Sequence, residues 1–163
     1  MVEDKDEGAV DFIHQLSGVY RYVLQQGESE LVPLVGEVDF VKSYIELHKI
    51  RFGDNFKVTI EGQELLRDYH MIPPLALQLL IENAIKHNEI SSKKNLNIQI
   101  NIENDRFSVT NNINPIRIAK KDSTQLGLKN LKQRYSYLTD NEISVTQETN
   151  LFKVTLPILN TYS

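Results

Sequence analysis

The chain of 163 residues contains no cysteine. That removes disulfides, thiolate nucleophiles and cysteine-based zinc sites together, and any metal has to be held by oxygen or by histidine. The four histidines are scattered at His14, His48, His70 and His87, without the clustering a histidine-metal site requires. Also missing is a basic stripe: 18 Lys and Arg against 22 Asp and Glu leave a formal charge of -4, which excludes the electrostatic footprint of direct nucleic-acid binding. No apolar run approaches the roughly 20 residues that span a bilayer, and the acidic opening is unlike a signal peptide, so no membrane contact is expected of this stretch. Internal repeats and low-complexity tracts are absent too. What is present is ordinary: 40% hydrophobic and 25% charged residues, the composition of a globular domain with room for a helical extension.

Packing is expected to begin near Phe12, after a charged, frayed opening. Phe12, Leu16, Val19, Tyr20 and Val23 recur at helical spacing and predict a helix over 9–26, with Gly27 as its stop. A second helical series runs from Val35 through Val38, Val41, Ile45 and Leu47 to Ile50, between Pro33 and Gly53. The first strand is expected at FKVTIEG, with Phe56, Val58 and Ile60 on one face. Pro73-Pro74 then introduces the helix LALQLLIENAIKHN, because proline is tolerated where a first-turn amide has no helical partner. NLNIQINIE and RFSVTN alternate strictly and turn at Asn104-Asp105, which predicts an antiparallel hairpin. Residues 113–125 read as a loop, 126–138 as a helix, and ISVTQETNLFKVTLPIL as a second hairpin turning at Thr149-Asn150. The order predicts an α/β (α+β) two-layer sandwich, a mixed and mostly antiparallel sheet with helices on one face, preceded by two N-terminal helices.

One helix carries candidate chemistry. Leu77, Leu80, Ile81, Ala84 and Ile85 share one arc of the wheel, while Glu82, Asn83, Lys86 and His87 share the other. For an amphipathic helix taken alone, a solvated surface is the more economical account of that polar arc.

The motif IPPLALQLLIENAIKHN, however, resembles the N box of the GHKL ATP-binding superfamily in its LytS/YehU histidine-kinase version. LSGVYRYVLQ and YIELHKIRFGDNF upstream, and LGLKNLKQRY downstream, follow in the order and spacing of those kinases, so that the resemblance covers about residues 12–157. It implies a Bergerat-type GHKL fold over 31–163, with 1–30 an acidic N-terminus and the remnant of a dimerisation helix. It implies ATP and Mg2+ as cofactors: Asn83 would bind magnesium through its amide oxygen, Lys86 would neutralise phosphate charge, and His87 would lie near ribose or phosphates. Glu82 is then the candidate catalytic residue, orienting or deprotonating the acceptor, with a capping or salt-bridge role as the alternative. ATPases of the superfamily carry a glutamate one turn before the magnesium asparagine to activate water. Here that residue is Leu79, which cannot act as a base, so transfer is favoured over hydrolysis.

The adenine-binding DxGxG segment corresponds to NNINP, which places Asn111 at the aspartate position and Ile113 and Pro115 at the glycines. An asparagine oxygen still accepts from the adenine amino group, without charge assistance. The second glycine box is STQLGL, where Gly127 survives and Leu128, Lys129 and Asn130 complete the nucleotide-binding set at the start of a helix whose amides favour phosphate. A plain helix start is the alternative there.

The acceptor segment of these kinases, similar to NPHFLFN, has no counterpart. His14, in DFIHQLSG, matches the region that follows it. The resemblance thus implies a catalytic domain that passes the ATP γ-phosphate to a histidine elsewhere. Its partners would be the dimerisation and phosphoacceptor helices of a parent kinase and a response regulator, for which the resemblance suggests the LytTR type. The parent would be anchored in the bacterial inner membrane with this domain cytoplasmic. The altered glycine boxes leave a second reading, a non-catalytic module used for docking or nucleotide sensing.

Overall fold

A computed structural model describes residues 3–26, 28–116 and 123–161. Its elements are α1 (Glu3–Gln26), β1 (Val32–Pro33), α2 (Leu34–Phe52), β2 (Phe56–Glu61), β3 (His70–Ile72), α3 (Ala76–His87), β4 (Leu96–Ile102), β5 (Arg106–Asn112), α4 (Ser123–Leu138), β6 (Ser144–Gln147), β7 (Leu151–Pro157) and β8 (Leu159–Asn160). Five strands make the main sheet in the order β2-β4-β5-β7-β6, and β1-β3-β8 form a small second one. The predicted α+β sandwich is what the chain builds.

Strand alternation produces the two layers. In β4 the residues Leu96, Ile98, Ile100 and Ile102 are all buried, and Phe107 and Val109 of β5 and Val154 and Leu156 of β7 continue the same apolar floor. Against it lie Leu77, Leu80, Ile81 and Ala84 of α3, Leu34, Val38, Val41 and Ile45 of α2, and Leu131 and Tyr135 of α4. Tyr135 is buried with its hydroxyl donating to the Pro157 carbonyl, which satisfies its polar end inside the core. Burial pushes its phenol well above the ordinary range, with Glu37 adding to the shift.

Three expectations need correction, whereas the mixed, mostly antiparallel sheet is as expected: β2 pairs with β4 in parallel, Phe56 opposite Leu96, and the other pairings of the main sheet are antiparallel. The helix α3 lies between those two strands in sequence, and a helical crossover returns the chain to the end at which β2 began. A short strand, β1, precedes β2, pairing with β3 through Val32 and Ile72, so β2 is not the first. Two- and three-residue strands carry too little alternation to be read.

Helix α1 begins at Glu3, ahead of the predicted position 9, and its apolar residues are divided otherwise than predicted. Val19, Tyr22 and Val23 pack on the core, whereas Phe12, Leu16 and Tyr20 are exposed. Finally, α4 starts at Ser123 rather than 126; of the predicted loop, 117–122 lie outside the described residues.

Two glycines end elements in conformations that side chains resist. Gly53, at the end of α2, has φ +56 with open space around it. Gly62, after β2, has φ +81, and a Cβ there would collide with the Ile102 carbonyl. Gly62→Ala is therefore expected to cost on the order of 3 kcal/mol, against about 1 kcal/mol for Gly53→Ala. Urea unfolding of the two variants checks this, and equal losses would mean that the close approach to β4 does not constrain the turn.

Candidate functional site

Helix α3 starts in an unusual way. Its N-cap residue is Leu75, in the left-handed conformation at φ 64 and without a side-chain cap of its own. The cap comes from 38 residues upstream: Glu37 Oε1 on α2 accepts the Leu75 amide at 3.0 Å and the Tyr22 hydroxyl of α1 at 2.6 Å. Ala76 N–H donates to the Pro73 carbonyl, and Leu79 N–H to that of Leu75. The proline pair thus leads into the helix as predicted, while the anchoring group lies elsewhere.

The helix then divides as its wheel requires. Leu77, Leu80, Ile81 and Ala84 are buried, Glu82 and Asn83 are half-buried, and Lys86 and His87 are exposed. Lys86 Nζ lies 3.0 Å from Glu82 Oε1, one turn apart on the open face. Exposed pairs of this kind contribute about 0.3–0.5 kcal/mol, so the contact is easily exchanged for another anion. Burial lowers the pKa of the His87 imidazole, and neighbouring Lys86 lowers it further, which favours the neutral ring.

Glu82 also faces α2, which the sequence did not suggest. Its carboxylate helps hold the Tyr44 phenol up at about 12, behind burial as the main cause and against a hydrogen bond from Gln78. The same charge favours the protonated form of His48, whose pKa is nonetheless lowered, first by burial and then by Arg51. Tyr44 and His48 sit edge to face, ring centroids 4.5 Å apart, in an aromatic row that continues to Phe52 and Phe56. His48 is a packing residue with Glu82 as an electrostatic neighbour.

At its C-terminal end α3 is stitched to the strand that carries Asn111. Asn88 Nδ2 donates to the Ala84 carbonyl and its Oδ1 accepts the Asn114 amide at 2.6 Å. Glu89 N–H donates to the Asn114 carbonyl, and Asn88 bridges to Pro115. Asn111 is buried near the end of β5, on the same side as Phe107 and Val109, its Nδ2 donating to the Asn112 carbonyl. The segment NNINP is thereby fixed beside the end of α3 by asparagine bonds rather than by glycines. Nothing in the sequence pattern singled out Asn88 and Asn114 for this.

Gly127 occupies a different place from the one expected. It lies within α4, not ahead of it, and a Cβ at this position would stand 3.1 Å from Leu79 Cδ1. Its smallness lets α4 come close to α3 one turn before Asn83. Leu128 packs against the core, a position for an anchor rather than a ligand contact, while Lys129 and Asn130 are exposed on α4. The structure therefore gathers Glu82, Asn83, Lys86 and His87 on one helix face, with Asn111 at one end and Gly127 against the preceding turn. The connecting segment 117–122 is outside the described residues.

A cleft of about 480 Å³ adjoins this face, lined by Gln26, Gln78, Leu79, Glu82, Leu131 and Arg134 among others. Among the described residues no group of three or more His, Asp or Glu side chains is placed to hold a metal ion. The one oxygen donor of Asn83 suits an ion that brings phosphate and water ligands with it.

Comparison with known proteins bears on these features. Residues 1–56 match the family model described as histidine kinase. The sensor protein LytS of Enterococcus faecalis is 32% identical over 100 residues, covering 61% of this chain and 17% of that protein. The sensor histidine kinase/phosphatase LytS of Staphylococcus aureus (strain Mu50) is 29% identical over 102 residues, covering 63% and 17%. The chain thus spans about a sixth of the length of the curated relatives it matches. In fold it is similar to the cytoplasmic segment of histidine kinase QseC, with TM-score 0.51, 16% identity and coverage of 80% and 77%. It is similar also to the nucleotide-free catalytic domain of histidine kinase ThkA, with TM-score 0.51, 19% identity and coverage of 78% and 95%. The Staphylococcus aureus relative is named as a kinase/phosphatase, which lends no support to the docking-module reading.

The electrostatic link between α2 and α3 is measurable. Removing the Glu82 charge relieves the repulsion that disfavours the Tyr44 phenolate and withdraws the attraction that favours the His48 imidazolium. Glu82→Gln should therefore lower both pKa values, Tyr44 from about 12 in an ultraviolet titration and His48 in an NMR titration. No movement of either would separate Glu82 from α2.

Proposed function

We propose that this chain is the ATP-binding domain of a LytS-type sensor histidine kinase, and that it binds magnesium ATP on the exposed face of α3 and presents its γ-phosphate to a histidine outside residues 1–163. The reading is supported above all by Asn83 on α3, four residues beyond Leu79, with Gly127 of α4 packed on that leucine. The position from which a carboxylate would activate water is filled by hydrocarbon and covered by a second helix, which disfavours hydrolysis.

Each residue then has a task. Asn83 offers its amide oxygen to magnesium, whose charge offsets that of the phosphates. Lys86 leaves Glu82 for a phosphate oxygen, an exchange that their exposed pairing makes inexpensive. His87, with its neutral form favoured, serves as a hydrogen-bonding neighbour of ribose or phosphate. Asn111 accepts from the adenine amino group, and Lys129 and Asn130 border the triphosphate on α4 beyond Gly127 and Leu128.

Glu82, released by Lys86, takes the imidazole N–H proton as the acceptor nitrogen bonds to the γ-phosphorus. The bond from that phosphorus to the bridging oxygen breaks, and ADP leaves with its electron pair. The dimerisation and phosphoacceptor helices of a longer kinase and a response regulator are the partners, with this domain cytoplasmic and the parent anchored in the inner membrane. No described helix is long and apolar enough to cross a membrane. The division into an N-terminal linker over 1–30 and an ATP-binding domain over 31–163 belongs to the same reading.

Titration with a non-hydrolysable ATP analogue and magnesium should show binding that Asn83→Ala abolishes. Absence of binding at millimolar nucleotide would sink the assignment. Incubation with γ-labelled ATP should leave the chain unlabelled, and label on His14 would move the acceptor inside it.

A further inference from the structure

The Glu37 carboxylate is fully buried, at 0% exposure, and it belongs to neither the nucleotide face nor the exposed surface. Removing a carboxylate from water is expensive unless its oxygens are satisfied, so such a group survives only where it holds something in place. What it holds is visible on both sides. Oε1 takes the Leu75 amide at the start of α3 and the Tyr22 hydroxyl from α1, whereas Oε2 has no hydrogen-bond partner. One oxygen thus joins three helices. Burial, the largest influence, raises its pKa, against the opposing pull of the Tyr22 hydroxyl, the Leu75 and Leu77 amides and the Arg134 guanidinium.

Tyr22 is not a loose contributor. Its ring stacks on Phe40 of α2 with centroids 4.2 Å apart and planes 12° from parallel, which fixes the direction in which the hydroxyl points. Rotation or sliding of α1 must therefore break a stacked pair and a 2.6 Å hydrogen bond before the helix can leave α2. Leu75, at the other end of the link, is the sole non-glycine residue with positive φ among the described residues, a conformation that its surroundings have to impose. Residues 79 and 83 follow at one-turn intervals along α3, so a change in its first turn is carried along a rigid rod to the nucleotide face.

We propose that Glu37 is a positioning residue for α3, and that the Tyr22 hydroxyl of α1 sets how firmly Glu37 holds that helix. The placement of Asn83 and Glu82 is then tied to the seating of α1. The effect on nucleotide rests on the function proposed above; the link between the helices does not.

The Tyr22→Phe variant keeps the stacked ring and deletes one hydrogen bond. It is expected to speed hydrogen exchange at the Leu75 and Leu77 amides while leaving the Ile100 and Val109 amides of the sheet unchanged. It should also weaken binding of the magnesium complex of the analogue about fivefold. Glu37→Gln, which retains an acceptor oxygen, should bind more tightly than the similarly sized but non-accepting Glu37→Leu. Unchanged exchange at Leu75 and Leu77 would overturn the proposal. So would faster exchange throughout the sheet, which marks a merely structural role, or faster local exchange with unaltered affinity. Should the unmodified protein bind no nucleotide, the proposed function fails, and exchange at Leu75 and Leu77 alone decides whether the helices are linked.

Discussion

A single carboxylate sets the terms on which the helical layer assembles. Glu37 is buried where three helices meet, and its desolvation is tolerable only while the Leu75 amide and the Tyr22 hydroxyl stay in place. Apolar contacts among α2, α3 and the sheet supply the bulk of the packing, but they are non-directional and tolerate sliding. The hydrogen bonds do not. They select one angle of entry for α3, and the open face of that helix inherits its orientation from them.

The same division between bulk and direction explains what the sequence disclosed. Helices α2 and α3 and the hairpin of β4 and β5 were legible because their signals are periodic and local: Leu96, Ile98, Ile100 and Ile102 alternate without a break, and α3 separates Leu77, Leu80 and Ile81 cleanly from Asn83 and Lys86. Glu37 was not legible, since its partners lie 15 and 38 residues away and it looks like any other glutamate of an amphipathic helix. The parallel pairing of β2 with β4 was hidden for a related reason. Alternation reports which face a residue occupies and says nothing of strand direction. In α1 the apolar residues outnumber what α2 can cover, so periodicity found the helix while misassigning Phe12, Leu16 and Tyr20 to the packed side.

For the candidate site, residue types were easier to read than their surroundings. The polar arc of α3 was evident from spacing, and its pairing of Glu82 with Lys86 was one of two alternatives left open. In NNINP, where Ile113 and Pro115 stand at the glycine positions, Asn88 and Asn114 fasten the segment to the end of α3 through side-chain bonds. Gly127 shows the reverse case. A glycine expected at a phosphate-favouring helix start turns out to serve close approach of two helices, a role that depends on what faces it rather than on the residues beside it.

The strand order leaves β2 and β6 as the margins of the main sheet. A bare margin is a template on which another extended chain can add itself, and long apolar margins invite fibrous association. Here β6 is four residues long, and β2 turns Lys57 and Glu61 outward in alternation with Phe56, Val58 and Ile60. Both margins are thus poor templates, one by brevity and the other by charge. Solubility during synthesis, when the helical layer is incomplete and the sheet is most vulnerable, is protected by the strands themselves.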